Sequence, residues 1–144
     1  MENQTEQNKA LIRRFVEEVQ NGKDFDAYDE LNAPDFVNLS SPPGVPPDRD
    51  SGKVFLQAFA EAYPDATFTI DDMIAEGDQV VTKKTMSGTN TGDFGGVPAT
   101  GKHVTVQYVD IMTVRDGQII QHWNVLDQLS WLTQLGVIPA PTGN

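Results

Sequence analysis

Apolar residues return every three or four positions between Leu11 and Val19, with charged residues on the opposite side. This spacing predicts an amphipathic helix that buries one stripe against a core. Asn3 or Thr5 is placed to cap its start. The pair Asn21-Gly22 predicts its end, because glycine suits the left-handed position that follows a helix.

Two further helices are predicted in the N-terminal half. One begins after the capping residue Asp24 and ends before Pro34. The other begins at Asp50 or Ser51 and ends at Pro64. Its predicted inward stripe consists of Val54, Phe55, Ala58, Phe59 and Ala62.

The remaining pattern predicts strands. A short strand is expected over Asp35–Leu39, followed by a loop with four prolines over Ser40–Asp50, either the rim of a site or a plain connector. From Ala66 onward the apolar period changes to two. Helices followed by a run of antiparallel strands indicate an α+β domain, with the N-terminal helices covering one face of a curved antiparallel sheet.

A hairpin over Val104–Leu126 carries polar residues inside its apolar alternation, and its turn at Asp116-Gly117 decides which of them share a face. A two-residue turn would pair Asp110 with Trp123 and place His122 on the opposite face. A three-residue turn would pair Asp110 with His122, and Tyr108 with Asn124.

Register follows from which residues must be buried, and only the three-residue turn gives one coherent interior face. We therefore expect Tyr108, Asp110, His122 and Asn124 to face a common cavity. The opposite face would expose apolar side chains that a second subunit could cover, so we expect a homodimer through this face. Its apolar residues are Trp123, Val109, Ile111 and Val125.

Composition narrows the function classes. The formal net charge of −11 repels nucleic acid and anionic lipid, so neither is an expected partner. The chain has no cysteine, which removes disulfides, thiolate metal sites and a cysteine nucleophile. No apolar run reaches the length of a membrane span, and no signal peptide is evident, which predicts a cytoplasmic protein.

The predicted neighbours Asp110 and His122 can act as a general base with its orienting partner, or as a structural pair that holds the sheet. A metal site is not expected, since the two histidines, His103 and His122, are predicted on opposite faces. No serine lies in a G-x-S-x-G turn. Proton transfer, or the shaping of a bound apolar ligand, is the chemistry that remains.

Four segments together resemble the SnoaL-like polyketide cyclases (ester cyclases) of the nuclear-transport-factor-2-like superfamily, over nearly the whole chain, as one domain spanning residues 1–144. They are N-K-A-L-I-R-R-F-V-E-E-V (Asn8–Val19), L-N-A-P-D-F-V (Leu31–Val37), T-G-D-F-G-G-V-P-A-T-G-K (Thr91–Lys102), and D-I-M-T-V-R-D-G-Q-I-I-Q-H-W (Asp110–Trp123) followed by L-D-Q-L.

The resemblance implies a cone-shaped α+β barrel, usually dimeric, with a deep apolar pocket. It implies intramolecular aldol condensation without metal or cofactor, in which an aspartate removes a proton α to a carbonyl. That aspartate usually follows the His-Trp pair, where this chain has Asn124, and Leu39 replaces a histidine common in the family. We therefore expect Asp110 to be the base, His122 to orient it, and Asn124 to donate a hydrogen bond to an enolate oxygen.

The remaining predicted pocket residues would contact an apolar substrate: Tyr108, Asn38, Phe15, Tyr28, Phe55, Phe59 and Met112. The leading hypothesis is a cyclase acting on a polyketide-like substrate by acid/base-assisted or shape-promoted ring closure. The alternatives are a non-catalytic module that binds a small molecule, and an isomerase or hydrolase of the same fold.

Overall fold

A computed structural model of the protein describes residues 3–139. The elements, in chain order, are α1 (Gln4–Arg14), a π-helical segment (Phe15–Asn21), α2 (Phe25–Leu31), β1 (Asn32–Asn38), α3 (Arg49–Ala62), β2 (Thr67–Glu76), β3 (Gln79–Thr89), β4 (His103–Arg115), β5 (Gln118–Leu126) and α4 (Gln128–Leu135). Within this described range, no helix is long and apolar enough to cross a membrane.

The five strands form one curved, open sheet in the order β1-β5-β4-β3-β2, which confirms the predicted α+β architecture. Strands β2 to β5 form an antiparallel meander. That meander returns β5 to the edge where β1 lies, and the two strands run parallel. The sheet is therefore mixed rather than purely antiparallel, because α3 carries the chain from the β1 edge to the opposite edge.

The first helix begins where the sequence predicts but ends differently. Asn3 is the cap, and its side chain accepts a hydrogen bond from the backbone N–H of Glu6 at 2.9 Å. Gly22 is not left-handed as expected; its φ is −82°, and Lys23 takes the positive φ of 56° instead. The π-helical bond from Gly22 N–H to the Glu17 carbonyl, 2.9 Å long, keeps Gly22 helical.

Helix α3 begins slightly earlier than predicted, because Asp48 rather than Asp50 or Ser51 is its cap. The Asp48 carboxylate accepts a hydrogen bond from the Ser51 backbone N–H at 2.8 Å. Capping at residue 48 starts the helix at Arg49.

The predicted stripe of α3 is only partly correct. Val54 is 63% exposed and Phe55 is 47% exposed. The helix is rotated because Gly52 approaches Tyr28 closely: a Cβ on Gly52 would lie 2.4 Å from the Tyr28 hydroxyl. The side that faces the protein therefore carries Gly52, Leu56, Phe59 and Tyr63.

The β4–β5 turn has two residues, so the predicted three-residue turn is wrong. Arg115 pairs with Gln118, and the intervening Asp116 and Gly117 have φ of 53° and 75°. Positive φ at both positions defines a type I′ turn. Ile120 then forms a β-bulge, because the residues on either side of it, Ile119 and Gln121, pair with consecutive residues of β4.

The bulge brings the predicted polar residues to one face with different partners. Asp110 lies opposite Asn124 and Met112 lies opposite His122, so each predicted pair is displaced by two residues. One extra residue reverses the alternation of side chains along β5. His122 and Asn124 therefore face the helices together with Asp110 and Tyr108, as predicted, and Trp123 is 40% exposed on the other face.

We expect Gly117→Ala to lower the free energy of unfolding by about 1 kcal/mol, because a side chain disfavours the left-handed conformation. Urea denaturation measures the change. Asp116→Gly is the control and should not destabilise, since it removes a side chain from a positive φ of 53°. A Gly117→Ala protein as stable as the parent would contradict the turn assignment.

Candidate functional site

A cavity of about 260 Å³ lies between the helices and the inner face of the sheet. Its wall is mainly apolar. The buried hydrophobic residues of the protein form two clusters, and both contribute to this wall, for example Phe36 from one cluster and Met86 from the other. The structure places all predicted site residues on this wall: Phe15, Tyr28, Asn38, Phe55, Phe59, Tyr108, Asp110, Met112, His122 and Asn124. The structure thus brings them together, and their individual roles stay predictions.

Asp110 is a buried polar group of the site, with 1% of its surface exposed. Its Oδ1 lies 2.6 Å from His122 Nε2. Its Oδ2 lies 2.6 Å from the Nζ of Lys84, which is itself fully buried. The contact with Lys84 departs from ideal hydrogen-bond angles. At this distance the ammonium still compensates the charge on Oδ2.

Opposing effects act on the pKa of Asp110. Burial alone would raise it, whereas the charge of Lys84 and the hydrogen bond from His122 lower it, and the net result is a pKa below the ordinary value. Asp110 is therefore a carboxylate at neutral pH, with both oxygens engaged.

His122 has more contact with the cavity than Asp110, with 20% of its side chain exposed. Its Nε2 is directed at Asp110, so in the neutral ring this nitrogen carries the proton and donates it. Nδ1 has no hydrogen-bond partner among residues 3–139. Nδ1 is thus the nitrogen available to a molecule in the cavity.

Tyr108 offers a hydroxyl group to the cavity. Its oxygen accepts a hydrogen bond of 3.3 Å from Gln20 Nε2, while Gln20 Oε1 accepts one of 3.0 Å from Lys84. Burial, followed by the nearby charge of Asp110, raises the pKa of Tyr108 well above its ordinary value. The phenol stays neutral and can donate its proton to a ligand oxygen.

The amide of Asn124 is also available, since its side chain has no hydrogen-bond partner in the described range. The Ser40 hydroxyl holds the peptide groups of Asn124, accepting from its N–H at 2.9 Å and donating to its carbonyl at 3.2 Å. Asn38 accepts from the Ser40 N–H at 3.0 Å, which leaves its own amide N–H groups to the cavity. The proline-rich loop is therefore fastened to the site at Ser40.

Sequence reasoning missed Lys84, Gln20 and Ser40. A signal for Lys84 was present, because Lys83 and Lys84 are adjacent in a strand and successive side chains point to opposite faces. One of the two had to turn inward. Gln20 and Ser40 carry no comparable signal, since their contacts span 64 and 84 residues of chain.

Among residues 3–139, no three His, Cys, Asp or Glu side chains form a cluster that could hold a metal ion.

We expect Asp110→Asn to lower the free energy of unfolding by about 3–5 kcal/mol at neutral pH, because it leaves the Lys84 ammonium buried without its partner. The lowered pKa of Asp110 means that the carboxylate stabilises the fold fully above the unfolded pKa, which is about 3.9. That contribution is lost as pH falls through the folded pKa. Urea denaturation from pH 7 down to pH 3 should show the difference between parent and variant narrowing.

Asp78→Asn is the control for this prediction. Asp78 lies 3.9 Å from Arg115 on the exposed surface, so its removal should change stability by at most about 1 kcal/mol. A difference between parent and Asp110→Asn that stays constant with pH would contradict the buried ion pair.

Comparisons with known proteins agree with this architecture. TsrD from Streptomyces laurentii is 28% identical, with a TM-score of 0.86 over 95% of this chain and 100% of that one. IdmH, a candidate polyketide cyclase from Streptomyces antibioticus, is 34% identical, with a TM-score of 0.78 over 90% and 99%. AclR, a candidate hydroxylase from Streptomyces galilaeus, is 25% identical, with a TM-score of 0.83 over 96% and 86%. A comparison with curated proteins found no match.

The family model of the SnoaL-like polyketide cyclases matches residues 10–135, which is most of the chain. Together with a curved sheet, covering helices and a mainly apolar cavity, this match shows that the protein belongs to the SnoaL-like polyketide cyclase family.

Proposed function

We propose that this protein is a cofactor-independent cyclase that closes a ring in a polyketide-like substrate. The observation that carries the proposal is the meeting of an Asp–His pair with two free hydrogen-bond donors, the Tyr108 hydroxyl and the Asn124 amide, in one apolar cavity. Its volume of about 260 Å³ exceeds that of the engineered cavity of about 150 Å³ that binds benzene, so a folded multi-carbon chain is a reasonable occupant.

We assign the base to His122 rather than to Asp110. Both Asp110 oxygens are already bound, by His122 and by Lys84, and its lowered pKa makes it a weak base. His122 lies on the cavity wall with an Nδ1 that has no partner among the described residues, and the carboxylate behind it orients the ring. This arrangement matches a general base with its positioning partner.

The proposed reaction begins when His122 Nδ1 removes a proton from a carbon α to a substrate carbonyl. The electron pair moves onto the carbonyl oxygen, and Tyr108 and Asn124 donate hydrogen bonds to the enolate. The enolate carbon then attacks a second carbonyl carbon of the same chain, which forms the ring bond. The imidazolium returns its proton to the new alkoxide, so the cycle neither gains nor loses a proton.

The apolar walls contribute by folding the substrate. Holding the two reacting ends of one substrate chain close together lowers the entropic cost of bringing them into contact. Phe15, Phe59 and Met112 line this part of the protein, and Phe55 lies exposed at its rim. Asn124 supports the same scheme as a donor, since an amide cannot act as a base near neutral pH.

We expect His122→Gln to reduce the turnover of a poly-β-ketone probe by at least about 10²-fold, because the base is lost. Tyr108→Phe should reduce kcat by about 10²–10³-fold with a smaller effect on KM, since it removes a donor to the enolate. Chromatography with mass detection of the cyclised product measures both.

His103→Gln is the matched control, because His103 is exposed on the other face of the sheet and should leave turnover unchanged. Full activity in His122→Gln would rule out His122 as the base. Tight binding of the probe without any product from the parent protein would instead favour a non-catalytic binding module.

The outer face of the sheet supports a further part of the proposal, a homodimer. Ile74, Val81, Ile111 and Trp123 pair in sequence across β2, β3, β4 and β5, which places four apolar residues in one row. Ile74 is 62% exposed and Trp123 is 40% exposed. A second copy of the chain carries the same row of apolar residues, so a contact between the two copies about a twofold axis would bury both rows.

We expect Trp123→Glu to shift the protein from dimer to monomer, because the contact would bury a carboxylate among apolar side chains. Sedimentation equilibrium measures the association. Leu129→Glu is the control, since Leu129 is 57% exposed on α4, outside the row. A parent protein that is monomeric at all concentrations would reject the dimer.

A further inference from the structure

The buried cluster around Asp110 contains one cation that the proposed reaction does not use. Lys84 Nζ lies 2.6 Å from Asp110 Oδ2 and 3.0 Å from Gln20 Oε1. The same ammonium lies 5.9 Å from the centre of the Phe15 ring and 5.5 Å from that of Tyr108. The side chain has no exposed surface, so these contacts replace water completely.

We propose that Lys84 is a positioning residue that keeps His122 neutral and fixes the Tyr108 hydroxyl through Gln20. This inference rests on the proposed role of His122 and deepens it, by naming the group that gives the imidazole its basic form.

Lys84 sets the charge balance of the buried cluster. The two ionisable neighbours that act on Asp110 are Lys84 and His122. With Lys84 positive and Asp110 negative, the cluster is neutral only while His122 is neutral, and a proton on the ring adds an uncompensated buried charge. Without Lys84, a buried Asp110 carboxylate would be balanced best by an imidazolium. An imidazolium has no lone pair and could not act as a base.

The Lys84 ammonium also acts on Tyr108, through Gln20. Gln20 accepts from Lys84 through Oε1, which turns its Nε2 toward the Tyr108 oxygen, 3.3 Å away. The Tyr108 oxygen therefore acts as acceptor in this contact, and its own proton is left for a ligand. One buried cation thus orients both the base and the donor.

Nuclear magnetic resonance of labelled histidine tests this without any substrate, so its failure is distinguishable from a failure of the proposed cyclisation. The chain has two histidines, and exposed His103 is an internal reference. In Lys84→Met, the pH at which the His122 ring signals titrate should rise by about one to three pH units. Lys83→Met, at the exposed neighbouring position, should leave it unchanged, and Lys84→Arg should restore most of the parent value.

A folded Lys84→Met protein whose His122 titrates within about 0.3 pH units of the parent would overturn the proposal, since a buried opposite charge should move it further. If Lys84→Met does not fold, the same resonance measurements on the parent protein test the proposal. Its neutral His122 should be protonated at Nε2, and the Asp110 carboxyl carbon should show no titration where His122 titrates. Proton uptake by Asp110 in that range, or an Nδ1-protonated ring, would also overturn the proposal.

Discussion

The ion pair between Lys84 and Asp110 lies inside an apolar interior where both partners have lost nearly all contact with water. Removing two charges from water costs more than most buried pairs return, and apolar residues of similar volume often stabilise a core as well or better. Stability alone is therefore a weak reason for this pair. Its contacts with neighbouring polar groups are the better explanation, because Asp110 bonds His122 and Lys84 bonds Gln20, which in turn bonds Tyr108.

That cluster exists only because a β-bulge sets the alternation of β5. The type I′ turn at Asp116-Gly117 would, in a regular ladder, direct His122 and Asn124 away from Asp110. The extra residue Ile120 reverses the alternation after the first pairs of the hairpin. Turn chemistry and the burial of polar residues are thus both satisfied, at the expense of one irregular position in the ladder.

These two features show how much the sequence could predict. Hydrophobic periodicity predicted the presence of the three N-terminal helices and of the strands, and the shared face of Tyr108, Asp110, His122 and Asn124, because burial is a property of the whole pattern. The register was missed because two turn types were weighed without a bulge, and one extra residue in the turn reverses the alternation in the same way as one extra residue in the strand.

Other features could not be predicted because they depend on contacts between segments that are far apart in the sequence. The rotation of α3 depends on a missing side chain at Gly52 beside Tyr28, a contact that local periodicity does not contain. Gln20 likewise gains its role only when the π-helical segment meets β3 and β4. Lys84 is the exception, since two adjacent lysines in a strand force one of them inward, and its partner could then be sought among the acidic residues of the same face.

The position of the carboxylate connects the fold to the chemistry. The family resemblance implies an aspartate after the His-Trp pair, and this chain has Asn124 there. Asn124 lies directly opposite Asp110 in the ladder, so a carboxylate is present on the same face, one strand away. That carboxylate lies on β4 beside β3, where Lys84 balances its charge. His122, two pairs along the ladder and bonded to that carboxylate, is therefore the group to which we assign proton transfer in the proposed reaction, with Asn124 as a proposed donor.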